Sequence, residues 1–233
     1  MEDFMNTDVD RGMGFIRIED PRDDDYLFSS LPVPMATPTQ KYWWADGWWG
    51  DQGRTPHCVA FSFTHWVNDG PRLHSLFRNR RPAIDTTELY CEAQKRDPWP
   101  GDCDNPLYDG TSVRAGAKVL QEWGFIDSYY WARNTNEIAQ AVATRGPVIM
   151  GTTWYTGMNR PDSDGFIKPT GTRVGGHAYV INGVNFTKKV FRLKNSWGRW
   201  WGKKGHAYLT FEDMADLLVP WGEACVALQK PAK

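Results

Sequence analysis

The chain has 233 residues, enough to bury a sizeable core in one large domain or in two small lobes. Lysine and arginine (27) nearly balance aspartate and glutamate (28), and the formal charge of -1 gives no sign of nucleic acid or an anionic membrane surface as a partner. No apolar run approaches the length of about 18 residues that a membrane-spanning helix needs.

Residues 1–40 predict an extended arm around the body of the protein. Leu31-Pro-Val-Pro34 and a charged turn at 19–25 favour extended chain over helix. The acidic N-terminus lacks the apolar core of a secretory signal. We therefore expect a cytoplasmic protein, although secretion by a non-Sec route or removal of a leader would leave the same sequence.

Helical patterns come first in the remaining chain, and strand patterns follow. Helices are predicted at 58–68, at 84–94 with Asp85 or Thr86 as N-cap, at 113–123 with Gly124 as the stop, and at 136–144. Short strands are predicted at 148–150, 178–181, 190–193 and 207–209. This order indicates an α+β protein with a helical lobe and a β lobe.

The stretch around Cys58 has the features of a reactive thiol site. Gly53 and Pro56 predict a turn, and Cys58 opens the first helix. The unpaired N–H groups and the macrodipole at a helix N-terminus favour a thiolate, the nucleophilic form of cysteine. Gln52 lies across the turn, where its side-chain N–H groups could donate to an oxyanion. A small buried cysteine without chemistry is the alternative for this stretch alone.

Two polar residues in the strand-rich half complete a possible catalytic set. His177 follows Gly175 and Gly176 at the start of a predicted strand, and Asn195 comes 18 residues later. Cysteine catalysis needs an imidazole partner and a third polar group that fixes the tautomer of the ring. Cys58, His177 and Asn195 fill these roles if the fold brings the lobes together.

The remaining cysteines leave two possibilities open. None of the four cysteines forms a Cys-x-x-Cys pair, so we do not expect a finger-type zinc site. Cys91 and Cys103 lie in one polar, loop-like region and could form a disulfide. Free thiols are the alternative.

These motifs together resemble those of the papain-like cysteine peptidases, family C1. Asp51-Gln-Gly53 with Cys58-Val-Ala-Phe-Ser62 resembles the active-site helix, and Asp109-Gly-Thr111 the loop that lines the substrate groove. Gly175-Gly-His-Ala178 resembles the histidine strand, and Asn195-Ser-Trp-Gly198 the asparagine segment. The resemblance covers about residues 51–211.

The resemblance implies a papain-like two-lobe fold for a peptidase domain at 41–233, after the arm at 1–40. A mainly helical lobe would cover about 41–130. An antiparallel, β-barrel-like lobe would cover about 131–233, with the active site in the cleft between the lobes.

The resemblance also implies catalytic roles. Cys58 would be the nucleophile, and His177 its ion-pair partner and general acid–base. Asn195 would orient the imidazole ring. Gln52 and the backbone N–H of Cys58 would form the oxyanion hole.

Four further residues would serve substrate binding and shielding. Trp197 would cover the hydrogen bond between the asparagine and the histidine. Gly110 and Ala178 would wall the subsite that reads the second residue before the scissile bond, with Gly176 beside them in the groove.

The chain departs from the family pattern at several positions. Thr55 stands where the family motif has its first cysteine, so the usual disulfide of the helical lobe is not expected, and Val59 replaces an aromatic residue. The arm resembles the short N-terminal arm of bacterial-type members. We expect the arm to brace the two lobes without inhibiting the site.

The function implied is that of a cysteine endopeptidase that works through a thiolate–imidazolium pair and an acyl-enzyme. An amidase, isopeptidase or acyl-transferase could use the same site. A non-catalytic peptide-binding module is a further alternative, and the intact set of four residues argues against it. We expect a monomer with a protein or peptide substrate, no metal or organic cofactor, and no nucleic acid or membrane partner.

Overall fold

The computed structural model describes residues 11–32, 38–42, 48–70, 83–99, 103 and 108–230. The helices of this part are α1 (Cys58–Asp69), α2 (Thr86–Gln94), α3 (Val113–Glu122), α4 (Thr135–Thr144) and α5 (Phe211–Leu218). The strands are β1 (Gln40–Tyr42), β2 (Ile126–Ala132), β3 (Val148–Tyr155), β4 (Arg173–Asn185), β5 (Val190–Lys194), β6 (His206–Thr210) and β7 (Glu223–Gln229). Short 3-10 helices lie at Pro21–Tyr26, Phe28–Ser30 and Thr156–Met158.

All four predicted helices bury apolar side chains, and three of them, α2, α3 and α4, begin at a residue whose side chain caps the first turn. The side chain of Asp85 accepts hydrogen bonds from the first turn of α2, and Ser112 and Asn134 do the same for α3 and α4. Gly124, with φ of +78°, follows α3 in the left-handed conformation that glycine adopts most readily. The predicted helices and strands are therefore confirmed, while β1, β2, α5 and β7 were not anticipated.

The strands form one antiparallel sheet in the order β2-β7-β3-β4-β5-β6, with β1 pairing to β4 beside this path. The α+β, papain-like fold predicted from the sequence is confirmed in its mixture of helices and antiparallel strands. Within the described residues, however, the sheet is open, with β2 and β6 at its ends. The expected barrel-like closure is therefore wrong.

The long strand β4 contributes to two cores. Side chains alternate between the faces of a strand, and Tyr179 and Ile181 enter one core with α4 and α5. Ala178, the residue before Tyr179, enters the other core with α1, α2 and α3. The strand that carries the predicted histidine is thus held between both groups of helices.

Two smaller points complete the fold. Cys91 and Cys103 form a disulfide, which decides between the two possibilities that the sequence left open. No helix among the described residues is long and apolar enough to cross a membrane. The division into an arm at 1–40 and a peptidase domain at 41–233 stays a prediction, because residues 1–10 and 33–37 lie outside the described part.

A buried ion pair fixes the far end of α1 to the sheet. Asp69, the last residue of α1, accepts a hydrogen bond from the ammonium of Lys194, the last residue of β5, and both side chains are fully buried. The ammonium also lies 4.4 Å from the ring centroid of Trp49. Since Lys194 directly precedes Asn195, this pair connects the helix of the predicted nucleophile with the segment of the predicted asparagine.

We expect Lys194→Met to lower the free energy of unfolding by about 3–5 kcal/mol, because the buried carboxylate of Asp69 would lose its paired ammonium. Adding Asp69→Leu should recover part of this loss, since an apolar pair replaces two buried charges. Urea unfolding measures both effects. Lys95→Met, which removes an exposed partner of Glu92, should cost less than about 1 kcal/mol. Equal losses for Lys194→Met and Lys95→Met would contradict the prediction.

Candidate active site

Cys58 begins α1 and is fully buried. The N-cap residue, His57, makes no side-chain capping hydrogen bond, so the first N–H groups of the helix are not occupied by a cap. Backbone N–H groups of Ala178 and Gly14 face the sulfur and lower the pKa of the thiol, but burial outweighs them and raises it to about 11. In this environment Cys58 is a neutral thiol.

His177, on β4, is also fully buried, and its Nε2 lies 2.8 Å from Oδ1 of Asn195. The same oxygen accepts a hydrogen bond from the N–H of Ser196 at 2.8 Å, which assigns it as the amide oxygen. Because an amide oxygen only accepts, Nε2 of His177 must carry the proton. The other nitrogen, Nδ1, makes no hydrogen bond within the described part of the chain and is left as the basic nitrogen.

Two tryptophans enclose the imidazole. The ring centroid of Trp197 lies 5.1 Å from that of His177, and the centroid of Trp154 lies 4.8 Å away in an edge-to-face arrangement. Burial lowers the pKa of His177 to about 4, although its hydrogen bond to Asn195 raises it. Trp197 was expected beside the histidine. Trp154 was missed, because no local pattern links a residue on β3, paired with Gly175, to the histidine two positions further along β4.

Gln52 lies where its amide can donate into the cleft. Its Oε1 accepts a hydrogen bond from the hydroxyl of Ser196, which assigns the amide and leaves Nε2 as the donor. Nε2 donates to the carbonyl oxygens of Gly12 (2.9 Å) and Thr55 (2.8 Å). The backbone N–H of Gln52 also donates to the carbonyl of Ser196 at 2.8 Å. Ser196, which sequence reasoning did not single out, thus connects the glutamine with the asparagine.

The family model of the papain family cysteine proteases matches residues 90–217, more than half of the chain. The chain belongs to the papain family of cysteine proteases. The matched region contains His177 and Asn195 but begins after Gln52 and Cys58. The roles assigned to Gln52 and Cys58 therefore rest on the resemblance of their own motif and on the geometry described above.

Solved structures of papain-family proteases share the fold. Xylellain, a cysteine protease from Xylella fastidiosa, has a TM-score of 0.72 at 18% identity over 95% of this chain and 97% of that one. Procathepsin L 3 from the larval midgut of Tenebrio molitor has a TM-score of 0.60 at 18% identity, over 94% and 76% of the two chains. Bromelain from Ananas comosus has 0.61 at 14% identity, over 83% and 100%.

A curated relative is more distant. An uncharacterized peptidase C1-like protein of Acanthamoeba polyphaga mimivirus is 21% identical over 150 residues, which are 46% of this chain. The match spans 48%, or about half, of the length of that relative.

The arm lies between residues that the family resemblance assigns to the substrate groove. Gly14 and Phe15 donate their backbone N–H groups to the carbonyl of Gly176 at 3.1 and 3.0 Å. On the other side, Thr111 donates to the carbonyl of Gly14 at 2.8 Å and accepts from the N–H of Ile16 at 3.0 Å. The arm therefore pairs, through its main chain, with both walls of the groove.

Glycines make this close approach possible. A Cβ on Gly14 would lie 1.9 Å from the carbonyl oxygen of Pro56, and one on Gly176 would lie 2.1 Å from that of Phe15. A Cβ on Gly110 would lie 2.5 Å from the carbonyl oxygen of Gly14, and one on Gly151 would lie 2.4 Å from the ring of Phe15. The arm occupies the space that side chains at these positions would otherwise fill.

The predicted substrate-binding residues thus contact the arm. Phe15 is buried in the core that also contains Cys58 and Ala178. Gly110 and Gly176 meet the main chain of Gly14 and Phe15. The structure therefore brings the residues assigned to the groove together around one arm segment, Gly14–Phe15.

The arm contacts β4 at Gly176 and the segment before α3 at Thr111, and its role as a brace that does not inhibit stays a prediction. Cys58 and His177 have no solvent-exposed surface while Gly12–Phe15 occupies the cleft. Gln52 also has its donor occupied by the carbonyl of Gly12. A substrate that used the same space and the same donor would have to displace this segment.

A second set of contacts holds the arm outside the cleft. Asp23 forms an ion pair with Arg114 of α3, and Asp24 pairs with Arg133 at 2.8 Å. Arg11 pairs with Asp51 at 2.6 Å on the other side of the cleft. The segment Gly12–Phe15 is therefore flanked by ion pairs on both sides. A substitution within the segment leaves those ion pairs unchanged.

We expect Gly14→Val to expose Cys58, since a Cβ at position 14 would overlap the carbonyl of Pro56. Alkylation by iodoacetamide at pH 7 should accelerate by about 10-fold or more, because water can then stabilise the thiolate and the pKa of the thiol falls. In the unchanged chain the rate should rise only toward pH 11, where the buried thiol ionises.

Peptide mapping of the alkylated protein, with Cys58→Ser in the same background as the control, identifies the reacting thiol. Gly14→Ala should give a smaller acceleration than Gly14→Val. Rapid alkylation of Cys58 at pH 7 in the unchanged chain would contradict the closed site.

Proposed function

We propose that the chain is a cysteine endopeptidase that hydrolyses peptide bonds, with Cys58 as nucleophile and His177 as general acid–base. The observation that supports it best is the hydrogen bond of 2.8 Å between Nε2 of His177 and Oδ1 of Asn195. This bond fixes the tautomer that leaves Nδ1 as the proton acceptor, the state that a thiol needs in its partner.

The proposed reaction begins with proton transfer from the thiol of Cys58 to the imidazole of His177. The thiolate attacks the carbonyl carbon of the scissile bond, and the oxyanion accepts hydrogen bonds from Nε2 of Gln52 and the backbone N–H of Cys58. The imidazolium then protonates the leaving amine, and a thioester remains. Water, deprotonated by His177, attacks the thioester and releases the carboxylic acid and the thiol.

A carbonyl oxygen of the arm resembles the oxyanion of the proposed intermediate in its hydrogen bond. The carbonyl oxygen of Gly12 accepts a hydrogen bond of 2.9 Å from Nε2 of Gln52, the group that the proposal assigns as donor to the substrate oxyanion. The hydroxyl of Ser196 holds the amide of Gln52 in this orientation. The described residues offer no observation that favours an amidase, an isopeptidase, an acyl-transferase or a binding module over a peptidase.

Turnover of a fluorogenic peptide library in reducing buffer tests the proposal, with Gly14→Val as the parent enzyme. Cys58→Ala and His177→Ala should each lower kcat by about 10³-fold or more, since each removes a reacting group. The rate should fall at low pH as the thiolate is protonated, and at high pH as the imidazolium loses its proton. Equal turnover by the parent and by Cys58→Ala would overturn the proposal.

Gln52→Ala should lower kcat by about 10²- to 10³-fold, as loss of one oxyanion donor does. Ser196→Ala should lower it less, because it only frees the amide of Gln52 to rotate. Both variants should leave the alkylation rate of Cys58 in the Gly14→Val background near that of the parent, because alkylation by iodoacetamide forms no oxyanion. A loss of alkylation equal to the loss of turnover would instead indicate damage to the nucleophile.

A further inference from the structure

One wall of the cleft is a short extended segment, Gly110–Ser112, which we call the groove edge. Its central residue, Thr111, forms only an isolated bridge with Phe15 and belongs to no strand of the main sheet. Nevertheless its N–H and C=O are the groups that pair with the arm. A substrate main chain that replaces the arm would meet the same two groups, so something outside the sheet must hold this edge in place.

One face of α2 supplies that support. The hydroxyl of Tyr90 accepts a hydrogen bond from the N–H of Gly110 at 2.9 Å, and Nε2 of Gln94 donates to the carbonyl of Gly110 at 3.0 Å. Nε2 also donates to the Tyr90 hydroxyl at 2.8 Å. Tyr90 is 3% exposed and Gln94 is 1% exposed. The two residues lie four positions apart and therefore share one face of the helix. Both main-chain groups of Gly110 are thus held by buried side chains.

Asp97 continues this support just after the helix. Its carboxylate accepts the hydroxyl of Thr111 at 2.5 Å and that of Ser112 at 2.6 Å. Ser112 in turn caps α3, where its Oγ accepts from the N–H of Ala115. The groove edge is therefore bonded through Gly110, Thr111 and Ser112 to three side chains at helical spacing.

Tyr90 also contacts the residue before the proposed nucleophile. Its ring stacks on that of His57 with the centroids 4.0 Å apart and an angle of 28° between the planes. One side chain thus touches the turn that precedes Cys58 and holds the groove edge across the cleft. The relative position of these two parts depends on the packing of Tyr90.

We propose that Tyr90, Gln94 and Asp97 are positioning residues that hold the groove edge ready to pair with the main chain of an extended peptide. This inference rests on the proposed peptidase function. Without these contacts the edge would have to be ordered when the peptide binds, and that entropy cost would be taken from the binding free energy. The chemistry at Cys58 does not use the edge, so the loss should appear in KM and not in kcat.

The test compares Gln94→Met and Tyr90→Phe in the Gly14→Val background. Each should raise KM for a peptide that extends to the N-terminal side of the scissile bond by about 5- to 10-fold, because buried partners are left without a hydrogen bond. The value of kcat and the pH profile of Cys58 alkylation should stay those of the parent. Gln121→Met is the matched control. It also removes a side-chain hydrogen bond to a main-chain carbonyl, that of Asp127, and should change neither KM nor kcat.

Hydrogen exchange of the chain with its native arm gives a readout that needs no turnover. Gln94→Met should accelerate exchange at the amides of Thr111 and Ile16 by about 10-fold, with α3 and β4 unchanged. Wild-type protection at both amides, or an unchanged KM in an active parent, would overturn the inference. Equal acceleration of amide exchange throughout α3 and β4 would also overturn the inference. Gln94 would then stabilise the whole fold and not the groove edge in particular. If no peptide is cleaved, the proposed function fails, and exchange at the two amides still decides this inference.

Discussion

The site depends on the complete burial of α1. Every residue of this helix is buried, so its position follows from packing on all sides and not from one surface. Its N-terminus places Cys58 beside Ala178 on β4, and its C-terminus is fixed by the buried pair of Asp69 and Lys194. Since Lys194 is followed by Asn195, one helix sets the position of the thiol relative to both sheet residues.

Burial has a second effect, which is electrostatic. Desolvation raises the pKa of Cys58 and lowers that of His177, so both shifts favour an uncharged thiol and an uncharged imidazole. In the proposed reaction, water that entered an opened cleft would solvate the thiolate and the imidazolium and so reduce this cost of burial.

The sequence could predict those parts that carry local signals. The first four helices have apolar spacing, and α2, α3 and α4 also have capping residues. Gln52, Cys58, His177 and Asn195 each stand in a short motif. Strand β2 and strand β7 escaped prediction. The first has aromatic residues without a clean alternation, and the second is a continuous buried run that a helix could equally contain.

The position of the arm could not be predicted for a different reason. Gly12 and Gly14 indicate a close approach of main chain, but nothing in the sequence says to what. Gly12 and Gly14 approach the carbonyls of Thr55 and Pro56, while Gly151 and Gly176 approach Phe15 from more than a hundred residues away, and each glycine is uninformative alone. Only the folded chain shows that these glycines form the two sides of one contact.

A groove lined in this way distinguishes side chains at few places. Glycines at 110 and 176 present main chain to the arm, and hydrogen bonds between main chains are the same for almost any residue. Within Gly12–Phe15, Phe15 is the residue whose side chain is buried, in the space left open by Gly151. One aromatic side chain therefore fixes the register of this segment, whose other contacts with Gly176 and Thr111 are made by the main chain.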